Sequence, residues 1–248
     1  MTIPEGKKIY FSSDNHLGAP TAEASRPREM RFVKWLDTIK EDAAAIFLLG
    51  DLFDFWFEYK HVVPKGFVRT LGKLAEIKDS GIPIYFFVGN HDLWMDDYFE
   101  KELNIPVYHA PREFKFNGKS FLIGHGDGLG PGDIGYKRMK KVFKNPVSKW
   151  FYRWLHPDLG VPLAQFFSVK NKAISGEEDI HFLGEDKEWL IQYCRRKLQE
   201  KHYDYFIFGH RHLPMEIDLN GKSTYLNLGD WINHFTYAEF EGEQLKLQ

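Results

Sequence analysis

The chain has 248 residues, 43% of them hydrophobic and 27% charged, with a mean hydropathy of -0.43, which is the composition of a globular protein long enough to bury a full core. No run approaches the roughly 18 uncharged residues of a membrane span, Met1 to Lys8 lacks the apolar stretch of a signal peptide, and the lone Cys194 excludes an intrachain disulfide and agrees with a reducing compartment, so a cytoplasmic protein is expected. Net charge is -2, but seven Lys/Arg and no Asp/Glu lie between Ile134 and Pro157, leaving 26 basic against 35 acidic residues elsewhere: a basic island on an acidic body, and so one surface for something anionic.

In chain order, five short apolar runs each end in a polar motif. Lys8 to Phe11 precedes Ser12-Ser13-Asp14-Asn15-His16, and Ala45 to Leu49 precedes Gly50-Asp51. Ile84 to Val88 precedes Gly89-Asn90-His91-Asp92, Ser120 to Ile123 precedes Gly124-His125-Gly126-Asp127, and Tyr205 to Phe208 precedes Gly209-His210-Arg211-His212. Runs this short, rich in β-branched and aromatic residues and closed by glycine, predict buried strands. Helical spacing covers Glu29 to Ile39, Phe67 to Lys78 and Glu185 to Gln199. Ser223 to Leu228 and Thr236 to Phe240 return to strand-like alternation. The order is that of an α/β fold, and taken alone it suggests a single sheet with ligands at the carboxyl ends of its strands.

Residues 132–184 break the pattern. They carry the basic island, the aromatics Tyr136, Phe143, Trp150, Phe151, Tyr152 and Trp154, and the breakers Pro146, Pro157 and Pro162. Two or more short amphipathic helices inserted between strands are expected, forming a helical cap on a single domain of residues 1–248.

The motifs collect carboxylate oxygens, an amide oxygen and imidazole nitrogens, a mixture suited to Mn²⁺, Fe or Zn²⁺ rather than to Ca²⁺ or Mg²⁺. Asp14-x-His16 and His210-x-His212 place two side chains on one side of an extended segment. Glycines before Asp51, Asn90, His125 and His210 permit close backbone approach. Two ions about 3.5–4 Å apart clamp a phosphoryl group and turn a bound water into hydroxide. Asp51 is the natural shared carboxylate. His91, beside Asn90, is placed to meet the phosphate or protonate a leaving oxygen, and Asp92 to orient its imidazole. A lone Asp-x-His is commonplace, whereas five motifs in this order point to one site. The other histidines, 61, 109, 156, 181, 202 and 234, are expected to be structural or exposed.

The five-motif series resembles the calcineurin-like metallophosphoesterases over about residues 8–235. That resemblance implies a four-layer αββα sandwich with two central sheets. It also implies one metal on Asp14, His16, Asp51 and His212 and the other on Asp51, Asn90, His125 and His210. Ser13 to Gly18, Gly50 to Trp56, His125 to Leu129 with Asp133 and Tyr136 downstream, and Leu228-Gly229-Asp230-Trp231 resemble a narrower family, the UDP-2,3-diacylglucosamine pyrophosphatases of lipid A synthesis. This implies Mn²⁺-dependent attack of water on the α-phosphorus, releasing UMP and 2,3-diacylglucosamine 1-phosphate (lipid X), with acyl chains held by the helical cap. It further implies substrate contacts by Asn90, His91 and His210, by Asp133 eight residues after His125, and by Ser168, Asn171 and Lys172 in the insert. One position departs from that family: His91 stands where it typically has Arg, which leaves open a soluble phosphodiesterase or phosphatase acting on a nucleotide or another small phosphoester.

The insert admits three readings. In the first, Tyr136, Met139 and Phe143 are the core-facing stripe of a helix whose lysines 137, 140, 141 and 144 are solvated. In the second, its aromatics hold acyl chains and its lysines dock peripherally on the cytoplasmic face of the inner membrane. In the third, it binds nucleic acid, against which the acidic body argues by repelling a long polyanion. No protein partner is inferred.

Overall fold

A computed structural model describes residues 1–132, 134–175, 181–182 and 184–248, with the helical backbone alone for residues 167–175. In chain order the first elements are β1 (Lys8–Ser12), α1 (Ala22–Ile39), β2 (Ala43–Leu48), α2 (Val68–Asp79), β3 (Ile84–Phe87) and α3 (Tyr98–Leu103). They are followed by β4 (Val107–Tyr108), β5 (Arg112–Phe116), β6 (Lys119–Ile123), α4 (Ile134–Lys144), α5 (Pro146–Arg153) and α6 (Pro157–Ser175). The chain continues through α7 (Trp189–Glu200), β7 (Tyr205–Phe208), β8 (Pro214–Asp218), β9 (Thr224–Leu228), β10 (Ala238–Phe240) and β11 (Leu245–Leu247).

The strands form two sheets, in the orders β11-β10-β1-β2-β3-β4 and β5-β6-β7-β9-β8. This corrects the single sheet that strand order alone suggested. Alternation along each strand explains the layering, since successive side chains face opposite sides. Ile9, Phe11, Ala45 and Phe47 of the first sheet meet Phe121, Ile123, Ile207 and Leu226 of the second in one core between the sheets. Tyr10, Ile46, Leu48 and Phe86 face the other way, onto Phe32, Trp35 and Leu36 of α1 and Leu74 and Ile77 of α2. Leu122, Phe206, Phe208 and Tyr225 pack on Leu190, Ile191 and Cys194 of α7. Three cores between four layers make the αββα sandwich. A strand buried on both faces reads alike in one sheet or two, so only pairing decides.

The helices start where local chemistry allows. The hydroxyl of Thr21 accepts from the Ala24 N–H at the head of α1, a cap contributing about 1 kcal/mol. The helical pattern at Phe67 begins one residue late because Phe67 itself is left-handed (φ 56°). The pattern expected from Glu185 starts at Trp189.

β1, β2 and β3 run parallel, as do β6, β7 and β9, so the loops bearing all five motifs leave the carboxyl ends of their strands. The segment between β6 and α7 holds α4, α5 and α6. It docks on the body through the Trp94 indole, which donates to Phe143 O (2.7 Å) and packs on Tyr152, and through Lys149 paired with Asp96. Lys137 reaches Gly130 O, while Lys140 and Tyr136 both reach Asp127. The reading of these lysines as a solvated face is thereby corrected for 137 and 140: desolvating a carboxylate such as Asp127 requires a partner, and the insert supplies it. Val147, Trp150, Phe151, Trp154, Leu155 and Leu159 are exposed instead. Among the described residues no helix is long and apolar enough to cross a membrane.

Candidate metal centre

The strand-end loops bring two sets of lone pairs face to face. In the first, His16 Nε2 and His212 Nε2 lie 3.1 Å apart, Asp14 Oδ1 is 3.2 Å from His212 Nε2, and Asp51 Oδ2 is 3.7 Å from His16 Nε2. In the second, Asn90 Oδ1 is 3.1 Å from His125 Nε2 and 2.9 Å from His210 Nδ1, and Asp51 Oδ2 is 3.5 Å from His125 Nε2. Asp51 Oδ2 belongs to both sets. Donors about 2.1 Å from a common ion and roughly at right angles or wider are separated by about 3.0–3.5 Å, so the spacing is that of metal ligation.

The opposite edges of the imidazoles fix which nitrogens point inward. His125 Nδ1 faces Leu49 O at 2.7 Å, and because a carbonyl only accepts, Nδ1 carries the proton and Nε2 presents a lone pair. His16 Nδ1 faces Asp54 Oδ1 at 3.2 Å and His212 Nδ1 faces Asp230 Oδ2 at 3.5 Å, with the same result. Lone pairs so opposed require a cation. The buried Asp14 Oδ1 has no hydrogen-bond partner, as expected of an oxygen reserved for one. The field agrees. Burial alone would lower His125, yet Asp51, then its hydrogen bond and Asp14, raise it to about 10. Burial would raise Asp14, but His212 and His16 hold it well below the usual carboxylate range. The donor set therefore fits two divalent cations.

The backbone is bent to this end. Asp14, His16, Asp51, His210 and His212 all adopt positive φ, between 44° and 68°. Left-handed conformations at non-glycine residues cost energy and concentrate at functional sites. Gly89 and Gly209 are required by proximity: a Cβ on Gly89 would sit 2.1 Å from Asp51 Oδ1, and one on Gly209 would sit 2.3 Å from Asp14 Oδ2.

His91 lies at the rim, its ring edge-on to His16 with centroids 4.7 Å apart and its Nδ1 3.0 Å from Asp54 O. The expectation that Asp92 orients it is corrected. Asp92 accepts from Gly89 N (2.7 Å) and Leu52 N (2.9 Å), splicing two ligand loops together, and burial followed by Asp51 pushes its pKa up to about 7. A side chain next in sequence to His91 leaves the loop on another face. Asp54 takes the place instead, 3.6 Å from His91 Nδ1 as well as on His16. Sequence reading passed over Asp54 and Asp230; the signal for the first was its position three residues after Asp51, and for the second the Gly229-Asp230-Trp231 turn.

Of the expected substrate contacts, Asn90, His91 and His210 stand together at this rim. Asp133 lies outside the described residues, and Ser168, Asn171 and Lys172 fall on α6 where only the backbone is described. The remaining histidines, 61, 109, 156, 181, 202 and 234, are all exposed.

The chain is 39% identical to a UDP-2,3-diacylglucosamine hydrolase of Porphyromonas gingivalis, covering 97% of each, and 29% identical to one of Ectopseudomonas mendocina, covering 95% of each. Among solved structures, a dimetal phosphatase from Danio rerio is 12% identical with a TM-score of 0.48, covering 99% of this chain and 96% of that one. The family model described as calcineurin-like phosphoesterase matches residues 7–214, and to that family the chain belongs.

Proposed function

We propose that this protein, a metal-dependent hydrolase by its family, cleaves the pyrophosphate of UDP-2,3-diacylglucosamine to UMP and 2,3-diacylglucosamine 1-phosphate. The observation that carries the reading is the pair of facing lone-pair sets sharing Asp51 Oδ2, next to an insert with exposed aromatics. The names of its relatives support the substrate. Asp14, His16, Asp51 and His212 would hold one ion and Asp51, Asn90, His125 and His210 the other, with Mn²⁺ the expected metal. When bound, such a pair polarises phosphoryl oxygens and lowers the pKa of water to near neutrality.

The chain's own residues do the rest. Asp54, Asp230 and Leu49 O fix the tautomers of His16, His212 and His125, so no reorientation is needed during turnover. His91 donates Nδ1–H to Asp54 O, which makes Nε2 the nitrogen that accepts a proton when the ring is neutral and delivers it to the departing phosphate oxygen when charged. Asn90, His91 and His210 line the partly exposed side of the centre, from which the pyrophosphate enters. Asp133, Ser168, Asn171 and Lys172 are the proposed contacts to sugar and phosphate. Residues 1–248 act as one domain with 132–184 as its cap, at the cytoplasmic face of the inner membrane, and the acyl chains lie against the insert.

Purified protein with Mn²⁺ should release UMP from UDP-2,3-diacylglucosamine, and His91→Ala should slow release by roughly 10²–10⁴ without unfolding. No UMP release above that variant's rate removes the proposal. His91 itself favours a second reading, a phosphodiesterase of small substrates. Under it, removal of residues 132–184 leaves turnover of an aryl phosphodiester unchanged and no lipid substrate is used.

A further inference from the structure

Between the two histidines His210 and His212 stands Arg211, whose side chain leaves the loop away from the metal centre. Its guanidinium forks onto Glu188, with Nε 3.0 Å from Oε2 and Nη2 3.1 Å from Oε1, and Nη2 also donates to His181 O at 2.7 Å. Glu188 is buried and stands at the head of α7, and His181 lies where the chain leaves the insert. A two-point fork defines both distance and plane, which a single lysine ammonium does not. The loop it holds needs such a hold. His210 and His212 are both left-handed, and the turn is tightened by Arg211 N on Gly209 O at 2.8 Å. One side of this tripeptide faces each lone-pair set, His212 the first and His210 the second.

We propose that Arg211 is a positioning residue that locks His210 and His212 onto separate ions and ties that lock to the exit of the insert through Glu188 and His181. The proposal rests on the two-ion reading of the centre. Without the fork, the strained turn relaxes and both imidazoles lose their fixed place, so affinity for both ions falls together; removal of a group that orients a ligand typically costs 10–100-fold in metal affinity.

The test is calorimetric titration of metal-free protein with Mn²⁺, independent of any activity. Wild type taking up two Mn²⁺ supports the centre itself, and wild type taking up none overturns that reading before any variant is compared. Arg211→Met is expected to weaken Mn²⁺ binding by about tenfold or more. Arg211→Lys should recover part of the loss, since charge returns without the fork. Glu188→Gln, which keeps the side-chain shape, should weaken binding in the same direction and serves if Arg211→Met fails to fold by circular dichroism. The double variant Arg211→Met/Glu188→Gln should be no worse than the poorer single one, because both remove one fork. Wild-type Mn²⁺ affinity in folded Glu188→Gln or Arg211→Met, or losses that multiply in the double variant, overturns the proposal while leaving the two-ion reading intact.

Discussion

At the scale of single residues, the centre is defined less by the number of donors than by how closely their backbones approach. Gly89 shows this most sharply, because a methyl there would fall 2.6 Å from the Asp51 backbone nitrogen as well as on its carboxylate. Gly89→Ala is expected to displace Asp51 from its shared position and abolish stoichiometric Mn²⁺ binding, measured by metal analysis after gel filtration. Gly72 is the control. It lies exposed within α2 with nothing near its missing Cβ, so Gly72→Ala should leave metal content unchanged and raise stability by up to about 1 kcal/mol in urea unfolding. The residues that set tautomers follow another logic. Asp54 and Asp230 were not legible as site residues, since an aspartate three positions from a ligand or in a Gly-Asp-Trp turn acquires its role only when a distant loop delivers an imidazole to it. Asp92 shows the converse. Its neighbourhood in sequence suggested His91 as partner, but its buried oxygens are taken by two backbone N–H groups.

At the scale of elements, pairing is fixed by polar ties as much as by apolar faces. Asp204, just ahead of β7, accepts from Ser120 N (2.8 Å) and Ser120 Oγ (2.9 Å) at the start of β6, and its carbonyl accepts from Thr224 N at the first residue of β9 (2.9 Å). Burial would raise its pKa, but the Ser120 bonds and then Lys119 hold it below the ordinary carboxylate value. A carboxyl with a lowered folded pKa contributes stability that is present above the unfolded value and lost as pH falls through the folded one. Asp204→Asn should therefore destabilise the protein by about 1 kcal/mol at pH 7, and the gap from wild type should close below about pH 4 in denaturant titrations. The strands carrying the motifs were readable because each is a short apolar run, four of the five ended by glycine and the first by Ser12-Ser13. β4, β5, β8 and β11 were not read, being edge strands that are short or mixed in polarity. In the insert the helices were readable, but their orientation was not. Lys140 and Lys149 turn inward to Asp127 and Asp96, while Trp150 and Trp154 turn outward.

At the scale of the whole molecule, that inversion decides how the protein would meet a lipid surface. Of the seven cations in the basic island, Lys137, Lys140, Lys144, Lys149 and Arg153 all have partners on the body. A basic residue free at an anionic surface contributes about 1 kcal/mol, whereas burying a large apolar side chain contributes about 1.5–3 kcal/mol. The exposed Trp150, Phe151 and Trp154 therefore outweigh the lysines. Trp150→Ser/Trp154→Ser is expected to weaken binding to phosphatidylethanolamine/phosphatidylglycerol vesicles at least tenfold in a flotation assay, with little salt dependence in wild type; unchanged binding, or binding abolished by salt alone, would contradict this. The sequence by itself determined the α/β class, the positions of the motif-bearing strands and the donor types at their ends, because alternation, glycine punctuation and ligand chemistry are local. Only the tertiary structure decided that there are two sheets, which aspartates orient the imidazoles, and which face of the insert is turned to solvent. Those depend on which of several equally apolar surfaces meet, and on loops from opposite sheets closing around one point.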